Sequence, residues 1–300
     1  MKRVYMILFF SVWAMLLSAQ HYFGATVGGL ATYQMDNVDK TKSRLGGGGE
    51  IGAIYQLQKN KFLLQTGFGV NYSVSVLGVD SMNLSAKMTD TGGTPFTYRG
   101  VVYDRIDRAN VTEFLVPLMI GFKVSSFYAL VGAKFVYPIL SATRQTALLT
   151  TYGDYNGMFY EDFFDMPQHG YANAQPAESK GKADFLCDVR ACAEFGGNWT
   201  LSGLNNSQLA VGLFAEYGVL NTLSGGNNNL VDVDYSQYMN ITMNHIYTTL
   251  SRNSAIVNNL RVGLRVSLLL PVGYINGKRS KCMCLDWVYR KHSAYRKQRR

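Results

Sequence analysis

Proline and cysteine are scarce in this 300-residue chain, which contains 6 and 4 of them respectively. Four cysteines are too few for the dense disulfide framework that stabilises small exported domains. After the first 19 residues, no apolar run approaches the roughly 20 residues that a transmembrane helix requires. The sequence therefore excludes a disulfide-stapled domain and a helical membrane domain. Low proline favours β-structure, since proline cannot donate to a strand ladder.

Basic charge is also scarce once the ends of the chain are set aside. The net charge is +9, but residues 278–300 hold nine Lys or Arg and one acid. Lys2 and Arg3 add two more positive charges, so the remainder of the chain is close to −1. A nucleic-acid-binding domain would carry its basic residues on the folded surface. We therefore predict no nucleic-acid partner and a separate basic tail at residues 277–300.

The first 19 residues have the organisation of a secretory signal peptide. Lys2 and Arg3 precede an apolar run at residues 4–17, which ends at Ser18 and Ala19. The alternative is an N-terminal anchor helix, which needs a longer apolar run. We predict that residues 1–19 are a signal peptide and that residues 20–276 form the folded domain.

Aromatic residues and glycine are abundant, at 20 Tyr, 16 Phe and 30 Gly. Apolar and polar residues alternate with the period of a strand in eight segments. Within residues 61–76, for example, Phe62 and Leu64 lie on one side of the strand while Gln65 and Asn71 lie on the other. The predicted strands are 21–34, 47–58, 61–76, 110–124, 127–140, 183–197, 208–220 and 258–274.

The connections between these segments alternate in length. Residues 58–61 and 124–126 are tight turns and 196–207 is moderately short, whereas the other connections are 35–46, 77–110, 141–182 and 221–258. Outer-membrane barrels alternate in this way and have an even number of strands. We predict an all-β fold, an eight-stranded antiparallel up-and-down transmembrane β-barrel with short periplasmic turns and long extracellular loops. Its predicted location is the outer membrane of a Gram-negative bacterium.

Two alternatives stay open for the long connections at 77–110 and 221–258: continued strands above the membrane, or an extra hairpin.

The polar side of the predicted strands carries charges of both signs in near balance. Side chains just fill the interior of an eight-stranded barrel, so we predict that these charges pair with one another as a plug. A conduction path is the alternative. The predicted interior charge network is Glu113, Lys123, Lys134, Asp188, Arg190, Glu216, Arg261 and Arg265. Glu50 and Glu194 lie on the same predicted face.

Aromatic residues recur ten positions apart on the apolar side of four strands. Ten residues at about 3.3 Å each, tilted by about 40°, span about 25 Å, which is the height of the apolar band in outer-membrane barrels. A soluble, lipocalin-like barrel with its apolar face inside is the alternative, but it does not explain this spacing. The predicted aromatic girdle is Phe23 with Tyr33, Phe62 with Tyr72, Phe127 with Tyr137, and Phe185 with Phe195.

Two segments resemble a family of small outer-membrane barrels of the Bacteroidota, often called PorT-like. "EFLVPLMIGFKVSSFYALVGAKFVYPI", residues 113–139, resembles the paired strands of that family. "ADFLCDVRACAEFG", residues 183–196, is similar to a later strand of the family, with Cys and Arg in place of glycines. The resemblance implies an outer-membrane location and a role related to protein secretion. It also implies a terminal aromatic residue that the insertion machinery reads, and Tyr274 is the candidate.

The sequence predicts no catalytic residue, no metal site and no cofactor. Outer-membrane hydrolases use a His with a Ser, Asp or Asn partner. None of His21, His169, His245 and His292 falls mid-strand beside a Ser of matching parity. A hydrolase site built from the loops around His169 and His245 is an alternative. The acidic cluster within 153–165 lacks the ligand spacing of an EF-hand.

We therefore predict a non-enzymatic barrel with a structural, assembly or partner-binding role. Its predicted partners are outer-membrane lipid and a protein that binds the extracellular loops or the basic periplasmic tail. The loop at 152–164 is rich in Tyr and Phe, which either form a contact surface or pack together to cap the barrel. A small diffusion channel is the other alternative.

The predicted location can be tested by cell fractionation. We expect the chain in the outer-membrane fraction and expect an unheated sample to migrate faster on a gel than a boiled one, because a closed barrel resists detergent. Recovery in the aqueous extract, with no change in mobility on boiling, would contradict the transmembrane orientation.

Overall fold

The computed structural model describes residues 19–36, 41–90, 92–155, 163–164, 171, 173–204, 206–224, 231–234, 240–249, 256–272, 274–275 and 278–279. Eight long strands form the barrel wall. They are β1 (Gln20–Asp36), β2 (Thr41–Lys59), β3 (Phe62–Thr89), β4 (Pro95–Val124), β5 (Phe127–Asp154), β8 (Asp188–Leu201), β9 (Ser207–Gly218) and β12 (Val257–Val272).

The wall is a closed antiparallel ring. Each strand pairs with the next one in the order given, and β12 pairs back onto β1 from His21↔Val272 to Asp36↔Val257. Closure gives the backbone groups at membrane depth a partner in the wall, which hydrocarbon demands. The predicted eight-stranded up-and-down transmembrane barrel is confirmed.

The three periplasmic turns are short because one residue in each takes a left-handed backbone conformation. Asn60 turns β2 into β3, Ser125 turns β4 into β5, and Asn206 precedes β9, with φ between 55° and 59°. Asn tolerates this region better than most residues. These turns lie where the sequence predicted the short connections.

Apolar side chains face outward and charged side chains face inward. Phe68, Leu118 and Leu264 are each more than half exposed, whereas Glu113, Arg190 and Arg261 are buried. A soluble barrel would have the opposite arrangement, so the lipocalin-like alternative is wrong. No helix in the described part of the chain is long and apolar enough to cross a membrane.

Seven of the eight predicted girdle residues are exposed on the outer surface. They are Phe23, Tyr33, Phe62, Tyr72, Phe127, Tyr137 and Phe195. Phe185 is the exception, and its assignment to the girdle is wrong. It precedes β8, forms an isolated bridge with Leu223, and packs against a buried cluster.

Phe185 departs from the prediction because residues 183–187 fold across the barrel mouth instead of starting a wall strand. Ala183 is buried there beside Leu223 and Tyr247. The alternation at 183–187 therefore reflects packing against loop residues and not exposure to lipid.

Three strands continue well beyond the membrane. β3 runs to Thr89 and β4 starts at Pro95, so most of the predicted connection at 77–110 is strand. β5 runs to Asp154 and pairs outside the membrane with β6 (Phe163–Phe164) and β7 (Gln175–Gly181). We call the part formed by residues 80–89, 95–108, 143–154 and 175–181 the extracellular sheet. Its outer face carries exposed polar residues such as Ser81 and Ser85 instead of an apolar belt, so it lacks the lipid-facing pattern from which the wall strands were predicted.

The remaining described elements are short. The hairpin β10 (Val231–Asp234) and β11 (Asn240–Met243) and the helix α1 (Ile246–Thr249) lie within the predicted connection 221–258. β12 ends at Val272, two residues before the predicted end. Tyr274 belongs to β13 (Tyr274–Ile275), which pairs with β14 (Lys278–Arg279). Residues 1–18 of the predicted signal peptide (1–19), and residues 277 and 280–300 of the predicted tail, lie outside the described residues.

Charge on the lipid face gives a test of the orientation. Leu118 lies at the middle of the apolar belt, and we expect Leu118→Arg to lower the free energy of unfolding by about 2–4 kcal/mol. Leu45 is also exposed but lies near the extracellular rim. The matched variant Leu45→Arg should cost less than about 1 kcal/mol. Urea unfolding in lipid vesicles measures both, and equal costs would contradict a membrane-facing belt.

Candidate functional site

The lumen holds two groups of ion pairs. The periplasmic group joins three carboxylates to two cations. Lys134 Nζ lies 3.1 Å from Glu50 Oε2 and also contacts Glu216. Arg265 Nε lies 2.6 Å from Glu50 Oε1, and its Nη1 contacts Glu194. All five side chains are almost fully buried.

The extracellular group centres on one carboxylate. Glu113 accepts hydrogen bonds from Arg190 at 2.6 Å and from Arg261 at 2.8 Å. Asn71 Nδ2 donates a third at 2.7 Å. Arg190 also pairs with Asp188 at 3.1 Å. Burying this many charges costs free energy unless each has a partner, and here the geometry supplies the partners.

Aromatic side chains fill the space around the periplasmic group. The ring of Phe214 lies 4.5 Å from the guanidinium of Arg265 and 5.2 Å from Lys134 Nζ. Tyr128 Oη donates to Glu194 at 2.7 Å. Glycine at position 212 leaves the space that the Tyr128 hydroxyl occupies, because a Cβ there would overlap it.

All eight predicted network residues face the lumen, and seven of them form ion pairs. Lys123 is the exception among the described residues. It lies near the periplasmic end and donates to the amide oxygens of Asn198 at 2.9 Å and Gln208 at 3.4 Å. Glu50 and Glu194 are full members that the predicted network omitted. Their position on the polar face was the available signal.

The ion pairs leave little free space. Two of the cavities that border these ion pairs each offer about 20 Å³, which is room for about one water molecule. The first lies beside Glu113 and Arg261. Arg261 Nε and Asn259 Oδ1 are buried nearby without a hydrogen-bond partner, so we expect ordered water there.

A hydrophobic cluster closes the mouth above the ion pairs. Its core is Leu77, Ala109, Ala183, Leu223, Ile246, Tyr247 and Val257. Loop residues therefore cap the lumen from the extracellular side. Because α1 contributes Ile246 and Tyr247, the position of this short helix decides whether the mouth is closed.

Arg105 and Asp107 hold α1 in place. The two side chains form a bidentate pair at 2.8 Å. Arg105 also donates to the carbonyl of Asn244 at 2.6 Å, and Asp107 accepts from the Ile246 amide at 2.8 Å. Charge-assisted hydrogen bonds of this kind are stronger than neutral ones, so β4 fixes the loop that covers the mouth.

His245 is neutral in this arrangement. Its Nε2 donates to the carbonyl of Arg108 at 3.2 Å, and its Nδ1 accepts from the Tyr247 amide at 3.3 Å. Burial lowers the pKa of His245 below its ordinary value of 6.5, although Asp107 and the Arg108 carbonyl act in the opposite direction. Burial also raises the pKa of Tyr247, whose hydroxyl contacts Gln34.

An aromatic cluster packs on one face of the extracellular sheet. Phe96 stacks on Tyr155 at 4.8 Å between centroids, and Tyr98 stacks on Tyr171 at 6.0 Å. Tyr155 belongs to the predicted aromatic loop, so this part of the loop packs on the sheet. Phe159 and Tyr160 of the same loop lie outside the described residues.

The described histidines form no catalytic arrangement. His21 Nδ1 lies 2.6 Å from Tyr55 Oη at the periplasmic rim, far from His245 at the mouth. His169 and His292 lie outside the described residues. Asp154 of the acidic cluster pairs with Arg99 at 2.6 Å. The described residues hold no group of three or more potential metal ligands.

No protein-family model and no curated protein sequence matches the chain. The solved structures that it is similar to include the following three. Ail, the attachment invasion locus protein of Yersinia pestis, is 8% identical, with a TM-score of 0.28 over 83% of this chain and 99% of Ail. Neisserial surface protein A is 9% identical, with a TM-score of 0.27 over 81% and 96%. The Escherichia coli outer membrane protease OmpT is 6% identical, with a TM-score of 0.28 over 84% and 96%.

The geometry of the wall itself decides the class of protein. A closed ring carries a belt of exposed Phe, Leu, Ile and Val around a lumen of paired charges. The chain is an outer-membrane β-barrel protein. Its activity and ligand must be inferred from the chain's own residues.

Removing the central carboxylate tests the plug. We expect Glu113→Gln to destabilise the barrel by about 3–5 kcal/mol, because Arg190 and Arg261 would remain buried without their main counter-ion. Glu178→Gln is the matched control, since Glu178 pairs with Arg144 on the exposed surface, where an ion pair contributes less than about 1 kcal/mol. Urea unfolding in vesicles gives both values. A cost for Glu113→Gln as small as the control would contradict a tightly coupled plug.

The mouth should loosen in acid. The unfolded loop binds a proton near pH 6.5, whereas folded His245 binds it at lower pH. The stabilisation is therefore fully present above pH 6.5 and decreases as the pH falls through that value. The protection factors of the amides at residues 245–247, which are exchange rates corrected for their intrinsic pH dependence, should decrease between pH 7 and pH 5. His245→Gln should remove this pH dependence, and its persistence in that variant would assign the effect to another group.

Proposed function

We propose that this chain is a non-enzymatic outer-membrane barrel whose extracellular sheet binds an extended segment of another exported protein. The observation that carries this proposal is the contrast between a filled lumen and a long sheet outside the membrane. The resemblance of residues 113–139 to PorT-like barrels supports a role related to protein secretion.

The lumen offers little route for a solute. Ion pairs fill it at two levels, and a hydrophobic cluster lies above them. Conduction would need several buried charges to exchange partners at once, which is costly in a low-dielectric interior. A filled lumen therefore favours a binding role over a diffusion channel.

The extracellular sheet offers a binding edge. β2 pairs with β3 as far as Val79. Beyond Val79, within the described residues, β3 pairs with β4 alone. Ser81, Asn83 and Ser85 are exposed along this edge. Strand edges of this kind bind extended peptides through main-chain hydrogen bonds.

The edge has few of the features that prevent pairing. Natural edge strands often carry proline, bulges or several charges that block another strand. Residues 80–89 contain no proline, and Asp80 and Lys87 are the charged residues. The inner face of this strand carries three half-buried apolar side chains, Met82, Leu84 and Met88. A partner strand with apolar residues at alternate positions would extend the same buried face.

Site-specific crosslinking tests the proposal. A photoreactive amino acid at Asn83 or Ser85 should give a covalent adduct with another protein in intact cells, whereas the same group at Leu204, on the periplasmic side, should give none. Heat-modifiable gel mobility verifies that each variant is folded. The absence of any adduct at Asn83 and Ser85 would contradict the proposal, as would equal labelling at Leu204.

Recordings across planar bilayers separate binding from transport. We expect no conductance from the wild-type protein at any voltage. Steady conductance that rises in Glu113→Gln would favour the diffusion channel. Replacement of His169 and His245 tests the loop-borne hydrolase, which predicts loss of an activity on lipid or peptide substrates.

A further inference from the structure

Basic residues form a row across the outer face of the wall, on the extracellular side of the aromatic girdle. The strand register pairs Arg44 with Val76, Val76 with Arg108, Arg108 with Arg144, and Arg144 with Lys180. Residues paired in this way share a face, with their Cβ atoms about 5 Å apart. All four basic side chains are exposed. We call these four residues the cationic row.

The cationic row has too few counter-ions. Glu178 serves two of its members, at 2.9 Å from Arg144 and 3.1 Å from Lys180. Arg44 and Arg108 form no ion pair with any described residue. Among the residues that the structure describes, one carboxylate therefore serves four cations. Like charges directly opposite in a sheet are destabilising, so the wall carries a cost here that an anionic ligand would relieve.

A glycine on β3, Gly78, lies directly beside the side chain of Arg44. A Cβ at Gly78 would lie 3.0 Å from Arg44 Nε. The guanidinium of Arg44 thus lies across β3 at Gly78, towards the strand that carries Arg108. Glycine at this position allows the approach.

The height of the cationic row above the aromatic girdle indicates which part of the membrane the row contacts. Val76, the partner of Arg44, is four residues beyond Tyr72 of the girdle, and Arg144 is seven residues beyond Tyr137. At about 3.3 Å per residue and a tilt of about 40°, these separations are roughly 10 Å and 18 Å along the membrane normal. Lipid head groups begin at the girdle and extend about 5–8 Å. The row starts near that level and rises away from the membrane.

We propose that the cationic row binds the phosphorylated head group of an outer-leaflet glycolipid. Three of its four members are Arg, whose guanidinium matches phosphate oxygens in a bidentate geometry. A ligand with its acyl chains in the membrane and its glycan standing above it matches the rise of the row. The proposal depends on the membrane orientation of the barrel and is independent of the protein partner proposed for the extracellular sheet.

The test uses the full chain, folded in detergent and titrated with lipid A. We expect lipid A to raise the melting temperature of the wild-type barrel, read from heat-modifiable gel mobility. In the triple variant Arg44→Gln, Arg108→Gln, Arg144→Gln, lipid A should bind roughly 25-fold more weakly, since Arg44 and Arg108 lie nearest the anionic surface and each such cation contributes about fivefold. The matched triple Lys59→Gln, Lys61→Gln, Lys87→Gln removes the same charge elsewhere and should bind like the wild type.

A milder variant separates ligand binding from a general charge effect. Gly78→Ala keeps every charge but places a methyl group against the Arg44 side chain. Arg44 must then move by a few tenths of an ångström, so we expect Gly78→Ala to weaken lipid A binding by less than the triple variant does, while the barrel without ligand melts at the wild-type temperature.

The ligand class is decided by two further probes. Dephosphorylated lipid A should not raise the melting temperature. Inositol hexakisphosphate, a soluble polyanion, should bind more weakly than lipid A. The proposal is wrong if the two triple variants bind lipid A equally, or if the soluble polyanion binds more tightly than lipid A.

Discussion

The pairing of β1 with β12 is the constraint on which the rest of the structure depends. Once this pair closes the ring, the wall has no open edge in the hydrocarbon and can present an apolar belt to lipid. Closure with eight strands also fixes a narrow lumen. Charged residues that face inward are then forced close together in that small space, which explains the dense pairing around Glu113, Arg190 and Arg261.

Because the lumen is filled, any ligand must bind to the surfaces outside it. Above the membrane, β3, β4 and β5 continue as one sheet, so the rigid wall carries its geometry outward without a flexible linker. The cap formed by α1 also depends on these strands, because Arg105 and Asp107 of β4 hold it over the mouth. The closed barrel and the extracellular sheet are therefore built from the same long strands.

Charged side chains have different partners on the two faces of the wall. Inside, the arginines are paired with carboxylates, since an unpaired charge there would destabilise the fold by several kcal/mol. Outside, Arg44 and Arg108 face the head-group region with no carboxylate among the described residues as partner. Water and salt make that arrangement tolerable, and a phosphorylated ligand would make it favourable.

The sequence alone determined the number of wall strands, their inside and outside faces, and the short turns at Asn60 and Ser125. These depend on alternation and on turn chemistry, which are local in the chain. It also placed Glu113, Arg190 and Arg261 on the inner face, although it could not say which charges would pair. Only the tertiary structure decided those pairs, the position of Phe185 at the mouth, and the alignment of Arg44, Arg108 and Arg144 across three strands. The physical reason is register: residues distant in the chain become neighbours through strand pairing, and no local pattern records which residue lies opposite which.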